Sequence, residues 1–164
     1  MEKERLEYTI TRLDHYYDSV NNKTAVYIAI NTFITGGTIT LLTQIQELLD
    51  KEIWLLIFLA GIIAFGVGSL ILLALASMPY LSSKSEIESL YYFESIAEKS
   101  AQEFFELSKE QDKKEDKKDL RNQVYLLSKG LKAKFKKLKW ACDLLIIQFL
   151  LLVPLTYILI KITS

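Results

Sequence analysis

The sequence holds one cysteine, one histidine and two prolines among 164 residues. A single cysteine excludes an intrachain disulfide framework and any four-thiolate zinc site. The lone His15 has no second ligand at helical spacing, so no metal is expected. Excess charge of one sign is also missing: Lys and Arg number 20, Asp and Glu 20. A protein that grips nucleic acid by neutralising phosphates is normally basic, so no nucleic-acid partner is expected. The length suits one domain.

What the chain does have is segregated charge. Half of its residues are hydrophobic (51%) although 24% are charged. Residues 24–46, 53–83 and 144–160 carry no charge at all, runs of 23, 31 and 17 positions. A membrane-spanning helix needs about 20 apolar residues. Trp140 and Lys161 flank the shortest run, and both side chains suit a lipid–water interface. Three transmembrane helices follow, at 24–46, 53–78 and 140–161, with an external loop at 47–52 and an external tail at 162–164. The first 23 residues contain nine charges, so they are not the apolar core of a signal peptide. Four Lys/Arg precede the first span and fourteen lie between 79 and 139, whereas the other two connections have one each. The positive-inside rule then places the amino terminus and 79–139 in the cytoplasm and the carboxyl terminus outside.

The water-facing parts read as helices. Leu6, Ile10, Leu13, Tyr17 and Val20 form a stripe whose register continues through Thr24, Tyr27, Asn31, Ile34, Thr38 and Leu41. The stripe is apolar before the membrane and polar within it, as expected of a face that meets protein throughout. One helix therefore covers 1–23 and runs unbroken into the first span. Ser83 with Glu86 offers a capping box for a second helix, with the stripe Ile87, Leu90, Phe93, Ala97, Ala101, Phe104 and Leu107. Residues 108–119 are nearly all charged and read as a solvated turn. Leu120, Val124, Leu127, Leu131, Phe135 and Leu138 then lead into the third span, with Gly130 as a weak point. No segment alternates like a strand. The expected fold is all-α: an integral membrane protein whose three transmembrane helices are continuous with a cytoplasmic three-helix bundle.

No nucleophile, base and oxyanion-stabilising set can be assembled, so no enzyme and no cofactor are expected. His15 reads as a partly packed polar position. Cys142 has no histidine near it in sequence to generate a thiolate. Gly66-Val67-Gly68 follows no strand; it reads as helix packing, with Ala64 and Gly68 at small-xxx-small spacing.

Three features stand out. The first is a polar seam in the opening span, Thr24, Asn31, Thr35 and Thr38, flanked by Thr32, Thr40 and Thr43. An asparagine in lipid needs a hydrogen-bond partner, so the seam either joins helices or lines a pore. The second is the basic run Lys129, Lys132, Lys134, Lys136, Lys137 and Lys139. It either sets topology against anionic lipid or receives a phosphate. The third is Asn21-Asn22-Lys23-Thr24-Ala25 where the first helix meets the membrane, with the aromatic trio Tyr91-Tyr92-Phe93 on the second cytoplasmic helix. Interface capping and core packing explain both, and so would an aromatic stack on a base.

Asn22-Lys23-Thr24-Ala25 followed by Asn31 resembles the opening signature of the transmembrane effectors of Pycsar antiphage systems (PycTM). The resemblance continues through Tyr92-Phe93-Glu94-Ser95-Ile96-Ala97, Asn122 to Ser128 and Lys134 to Lys139. Asn22 stands where that family more often has Asp, and Glu94 where a Gly is expected. The resemblance implies an effector of the cell inner membrane that pairs functionally with a nucleotide cyclase. It would answer a cyclic pyrimidine nucleotide, cyclic CMP or cyclic UMP, and would impair the membrane as a homo-oligomer, causing abortive infection. Asn22, Lys23, Tyr92 and Lys134 become candidate nucleotide-binding residues. Two other classes fit the residues: a constitutive ion channel or holin-like pore, and a membrane scaffold that docks a partner through its basic helix.

Overall fold

A computed structural model describes residues 1–49, 52–78 and 89–163. All of its regular structure is helical: α1 (Glu2–Gln44), α2 (Gln46–Leu49), α3 (Ile53–Ser77), α4 (Phe93–Ala97), α5 (Ala101–Glu110) and α6 (Lys113–Thr163). α1, α3 and α6 are long and apolar enough to cross a membrane. At about 1.5 Å per residue, the 25 residues of α3 cover a hydrocarbon layer of about 30 Å. The chain divides into two compact units, Met1–Ser19 with Pro79–Ala133, and Val20–Met78 with Lys134–Ser164. α1 and α6 each supply residues to both, so the unbroken course expected of the first helix is observed.

The first unit is polar outside and leucine-cored. Leu6, Leu13, Leu120 and Leu131 are buried, at positions the stripes of α1 and α6 mark out. The Tyr17 hydroxyl donates to the Leu127 carbonyl (2.8 Å), and the Arg121 guanidinium donates twice to one Glu2 carboxylate oxygen (3.0 and 2.7 Å). Residues 89–92 are pinned to α6 by two buried side chains. Ser89 Oγ accepts from Gln123 Nε2 (2.8 Å) and from the backbone N–H groups of Tyr91 and Tyr92 (3.1 Å each). The Asp119 Oδ2 accepts from the Leu90 N–H (2.8 Å).

This unit departs from the expected three helices. The Ser83–Glu86 capping box and Ile87 lie outside the described residues. Among the described ones, the helix expected to follow Ser83 is two pieces, α4 and α5, because a capping box stands at Ser100. Ser100 is extended, its Oγ accepts from the Glu103 N–H (3.3 Å), and the Glu103 carboxylate accepts from the Ser100 N–H (2.8 Å). Phe93, Ala97 and Ala101 are accordingly exposed, not a core stripe. The turn expected over 108–119 is only Gln111 and Asp112. Lys and Glu are good helix formers, and Asp112 Oδ1 accepts from the N–H groups of Lys114 and Glu115 (2.7 Å each), which starts α6 at once. In the expected loop at 47–52, α2 is helical to Leu49.

The second unit is inside out. Its exposed faces carry Phe33, Trp54, Ile57, Ile71, Phe149 and Leu150, with Phe33 83% exposed, while Asn31, Thr35, Ser69 and Gln148 are buried. A water-soluble bundle has the opposite pattern; a bundle bathed in lipid needs only to shield its polar groups. Leu55, Leu59 and Ile62 of α3 pack with Ile34, Leu145 and Leu155 as one apolar cluster. Hydrogen bonds fix the directions. α3 runs antiparallel to α6, with Ser77 at Lys134, Ser69 at Ala141 and Ile62 at Gln148. α1 runs parallel to α6 in a register 113 residues apart, Asn21 at Lys134 and Thr35 at Gln148.

In the first unit the Asp116 carboxylate accepts from the Lys3 amine (2.7 Å) and the Tyr91 hydroxyl. The Lys3 bond, then the Tyr91 bond, hold Asp116 below the usual carboxylate range. Burial, then the bond to Asp116, pushes the Tyr91 phenol up to about 12. The folded state thus favours neutral Tyr91, a contribution present below about pH 10 and lost as the pH rises through 12. The Asp116 contribution is present above the ordinary aspartate value and lost as the pH falls below it. In alkaline titration followed by phenolate absorbance, the Tyr91→Phe variant should lack a component that titrates about two pH units above an ordinary tyrosine.

Candidate functional site

The seam expected in the first span is half a network. Asn31 Nδ2 donates to the Gly66 carbonyl of α3 (3.1 Å), and Asn31 Oδ1 accepts from Thr35 Oγ1 (2.8 Å). Thr35 Oγ1 in turn accepts from Gln148 Nε2 of α6 (2.9 Å), which also donates to the Ile62 carbonyl (3.3 Å). Asn31 and Gln148 are wholly buried. In hydrocarbon no water competes for these groups, so their amide donors bond to the neighbouring helices. Asn31 Oδ1 is met from its own helix by Thr35, and Gln148 Oε1 is left without a partner. One turn along α3, the Ser69 hydroxyl donates to the Ala141 carbonyl (2.8 Å) and ties α3 to α6 again.

The other seam residues behave differently. Thr38 is buried but bonds back to the Ile34 carbonyl of its own helix (2.8 Å), and Thr24 Oγ1 is buried with no partner. Thr40 and Thr43 are exposed and also bond within α1; Thr32 is exposed. Sequence reasoning overlooked Gln148 and Ser69. The signal was present: Gln148 is the only amide in the charge-free run 144–160.

The small-residue packing site is also displaced. Ala64 is exposed and Gly68 half-buried, with its missing Cβ an ordinary 3.5 Å from Leu144; the buried glycine is Gly66. A Cβ at Gly66 would run into Thr35 Oγ1 and Gln148 Nε2 and lie 3.2 Å from Asn31 Oδ1. The network closes only because no side chain stands there.

The basic run is split among several tasks. Lys134 is 6% exposed, and its amine lies 3.4 Å from both Asn21 Oδ1 and the Ser77 carbonyl. Lys137 donates to the Leu75 carbonyl (3.1 Å). Both amines therefore sit at the last turn of α3, where carbonyls lack intrahelical donors and the helix dipole favours cations. Burial, then the neighbouring Lys137, pulls the Lys134 amine below the usual lysine range. Lys129 lies over the Tyr125 ring (4.6 Å), and Lys132, Lys136 and Lys139 are exposed.

Of the remaining candidates, Asn22 and Lys23 are exposed on α1, and the amide that meets Lys134 is Asn21, not Asn22. Tyr92 belongs to the polar unit. It is half-buried at the cap of α4, and its hydroxyl donates to Glu94 Oε2 (2.7 Å). Tyr91 and Phe93 of the aromatic trio are exposed. His15 is exposed, not partly packed. Among the described residues, no three His, Cys, Asp or Glu side chains are placed to hold a metal ion.

Residues 5–161 match the family model described as "PycTM: Pycsar effector protein domain". No curated protein and no solved structure matches the chain.

Gly66→Ala should destabilise the membrane unit by about 1–3 kcal/mol, the usual cost of overpacking. Gly36→Ala, whose Cβ meets nothing within 4 Å, should keep the parent's stability or gain up to about 1 kcal/mol from the better helix former. Thermal unfolding in detergent compares the two, and equal stability would mean the network does not hold the three helices.

Proposed function

The chain belongs to the PycTM family of Pycsar effectors, a family of cyclic-nucleotide antiphage membrane effectors, and we propose that its signal is a cyclic pyrimidine nucleotide, cyclic CMP or cyclic UMP. The observation that carries this reading is the family match over residues 5–161. The nucleotide comes from a partner cyclase. Its binding shifts the chain from a closed state, held by the Asn31–Thr35–Gln148 network, to one that impairs the inner membrane and ends the infection.

Several features of the geometry support the proposal. α1 and α6 each pass without a break from charged, water-facing residues to the buried seam, so a movement of either helix reaches the seam along its own backbone. The asymmetry of basic residues supports a cytoplasmic amino terminus and 79–139 segment, spans at 24–46, 53–78 and 140–161, and an external carboxyl terminus. Thr24 Oγ1 and Gln148 Oε1, both buried without partners, favour an active state that is a homo-oligomer, in which a second copy or water satisfies them. Exposed Asn22 and Lys23 remain open to a ligand, whereas Lys134 already serves the end of α3. A ligand drives such a change only through its different affinities for the two states.

Proteoliposomes loaded with dye test the proposal. Efflux should begin on addition of one cyclic pyrimidine nucleotide and not with cyclic AMP or cyclic GMP. Efflux without ligand would make the chain a constitutive pore. No efflux and no thermal stabilisation with any of the four would leave a scaffold. Asn31→Leu should alter efflux while leaving insertion intact.

A further inference from the structure

The polar unit contains an open groove of about 390 Å³ between α5, the start of α6 and residue 90, within the size range of small-molecule sites. Leu90 and Leu107 supply its apolar walls and Gln111 an amide. Asp119 also lines it and is only 4% exposed. Its Oδ2 accepts from the Leu90 N–H, but its Oδ1 is buried with no hydrogen-bond partner. Asn122, three residues on and hence on the same side of α6, has a buried Nδ2 that is likewise unpartnered. Buried polar atoms are nearly always paired, so an unfilled acceptor and an unfilled donor one turn apart call for an explanation.

We propose that this groove receives the base end of the cyclic nucleotide, with Asp119 Oδ1 accepting a nucleobase N–H. The proposal rests on the functional reading above and locates its ligand site. The charges decide the orientation. Glu110, Glu115 and Asp119 outnumber Lys118, so the groove repels a phosphate and favours a donor-bearing edge. A pyrimidine edge carries an N–H donor, the complement of Asp119 Oδ1, the unfilled acceptor among the residues that line the groove. Leu90 and Leu107 can cover the faces of the ring while the phosphate stays toward water. A metal ion fits less well, because no three suitable ligands converge among the described residues.

The test is calorimetric titration of the full-length chain in detergent with cyclic CMP and cyclic UMP. Asp119→Asn keeps a carbonyl for the Leu90 N–H but presents an amide N–H where the ligand needs an acceptor. Leu107→Trp fills the groove from its opposite wall. The expected result is binding by the parent and loss of affinity by at least about tenfold in each variant, with unchanged melting in the absence of ligand. If Asp119→Asn does not fold, Leu107→Trp decides alone. Binding by the parent with unchanged affinity in either folded variant would overturn the groove assignment and leave the functional reading standing. No binding of either nucleotide by the parent would overturn both.

Discussion

Placing a carboxamide in hydrocarbon is the constraint on which the membrane unit depends. Asn31 has no water to bond with, so α1 must lie where a carbonyl of α3 and a hydroxyl on its own next turn can meet both ends of the amide. That requirement propagates. It demands a residue without a side chain at 66, and it brings Thr35 to the position from which α6 is reached through Gln148. The apolar cluster around Leu59 fills space on these helices, but interchangeable leucines do not fix a register. The polar contacts do.

The same contacts are modest in strength, which suits the change of state in the proposed function. Four interhelical bonds tie α3 and its neighbours, Asn31 to Gly66, Gln148 to Thr35, Gln148 to Ile62 and Ser69 to Ala141. Intramembrane hydrogen bonds contribute about 0.6 kcal/mol each on average, so the set is worth about 2–3 kcal/mol. A ligand that prefers one state by about 100-fold supplies as much. The closed arrangement is thus specific enough to be unique and weak enough to be released. Lys134 and Lys137 at the end of α3 and the Asp116–Lys3–Tyr91 cluster of the polar unit are local anchors of the same kind, each built on one shared acceptor or helix end.

Much of this was legible in the residues. The charge-free runs mark the three long apolar helices, and the stripe from Leu6 to Leu41 marks both the core face of α1 and its lack of a break. Asn31 and Thr35 stood out because polar residues are conspicuous in an apolar run. Their partners did not, since half of the network is backbone carbonyl, which no side-chain pattern reveals, and Gly66 matters for an atom it lacks. The segment 93–119 misled for a different reason. Its apolar spacing fits one helix, but Ser100 and Glu103 satisfy each other's backbone groups, and that local cap outweighs the weak burial available to Ala97 and Ala101. The charged stretch after it reads as a loop by polarity and as helix by propensity, and with Asp112 as a cap propensity prevails. Asp119 ends that stretch and Asn122 follows it, and both look like ordinary surface residues until the burial of their side-chain atoms is known.

In the proposed function the nucleotide acts by releasing the hydrogen-bonded seam. Hydrogen–deuterium exchange in lipid nanodiscs, with and without cyclic CMP or cyclic UMP, reads that release at the hydrogen bonds themselves. Exchange should rise together around Asn31 of α1, Gly66 of α3 and Gln148 of α6 when the nucleotide is present. Membrane leakage with unchanged protection at those three places would contradict it.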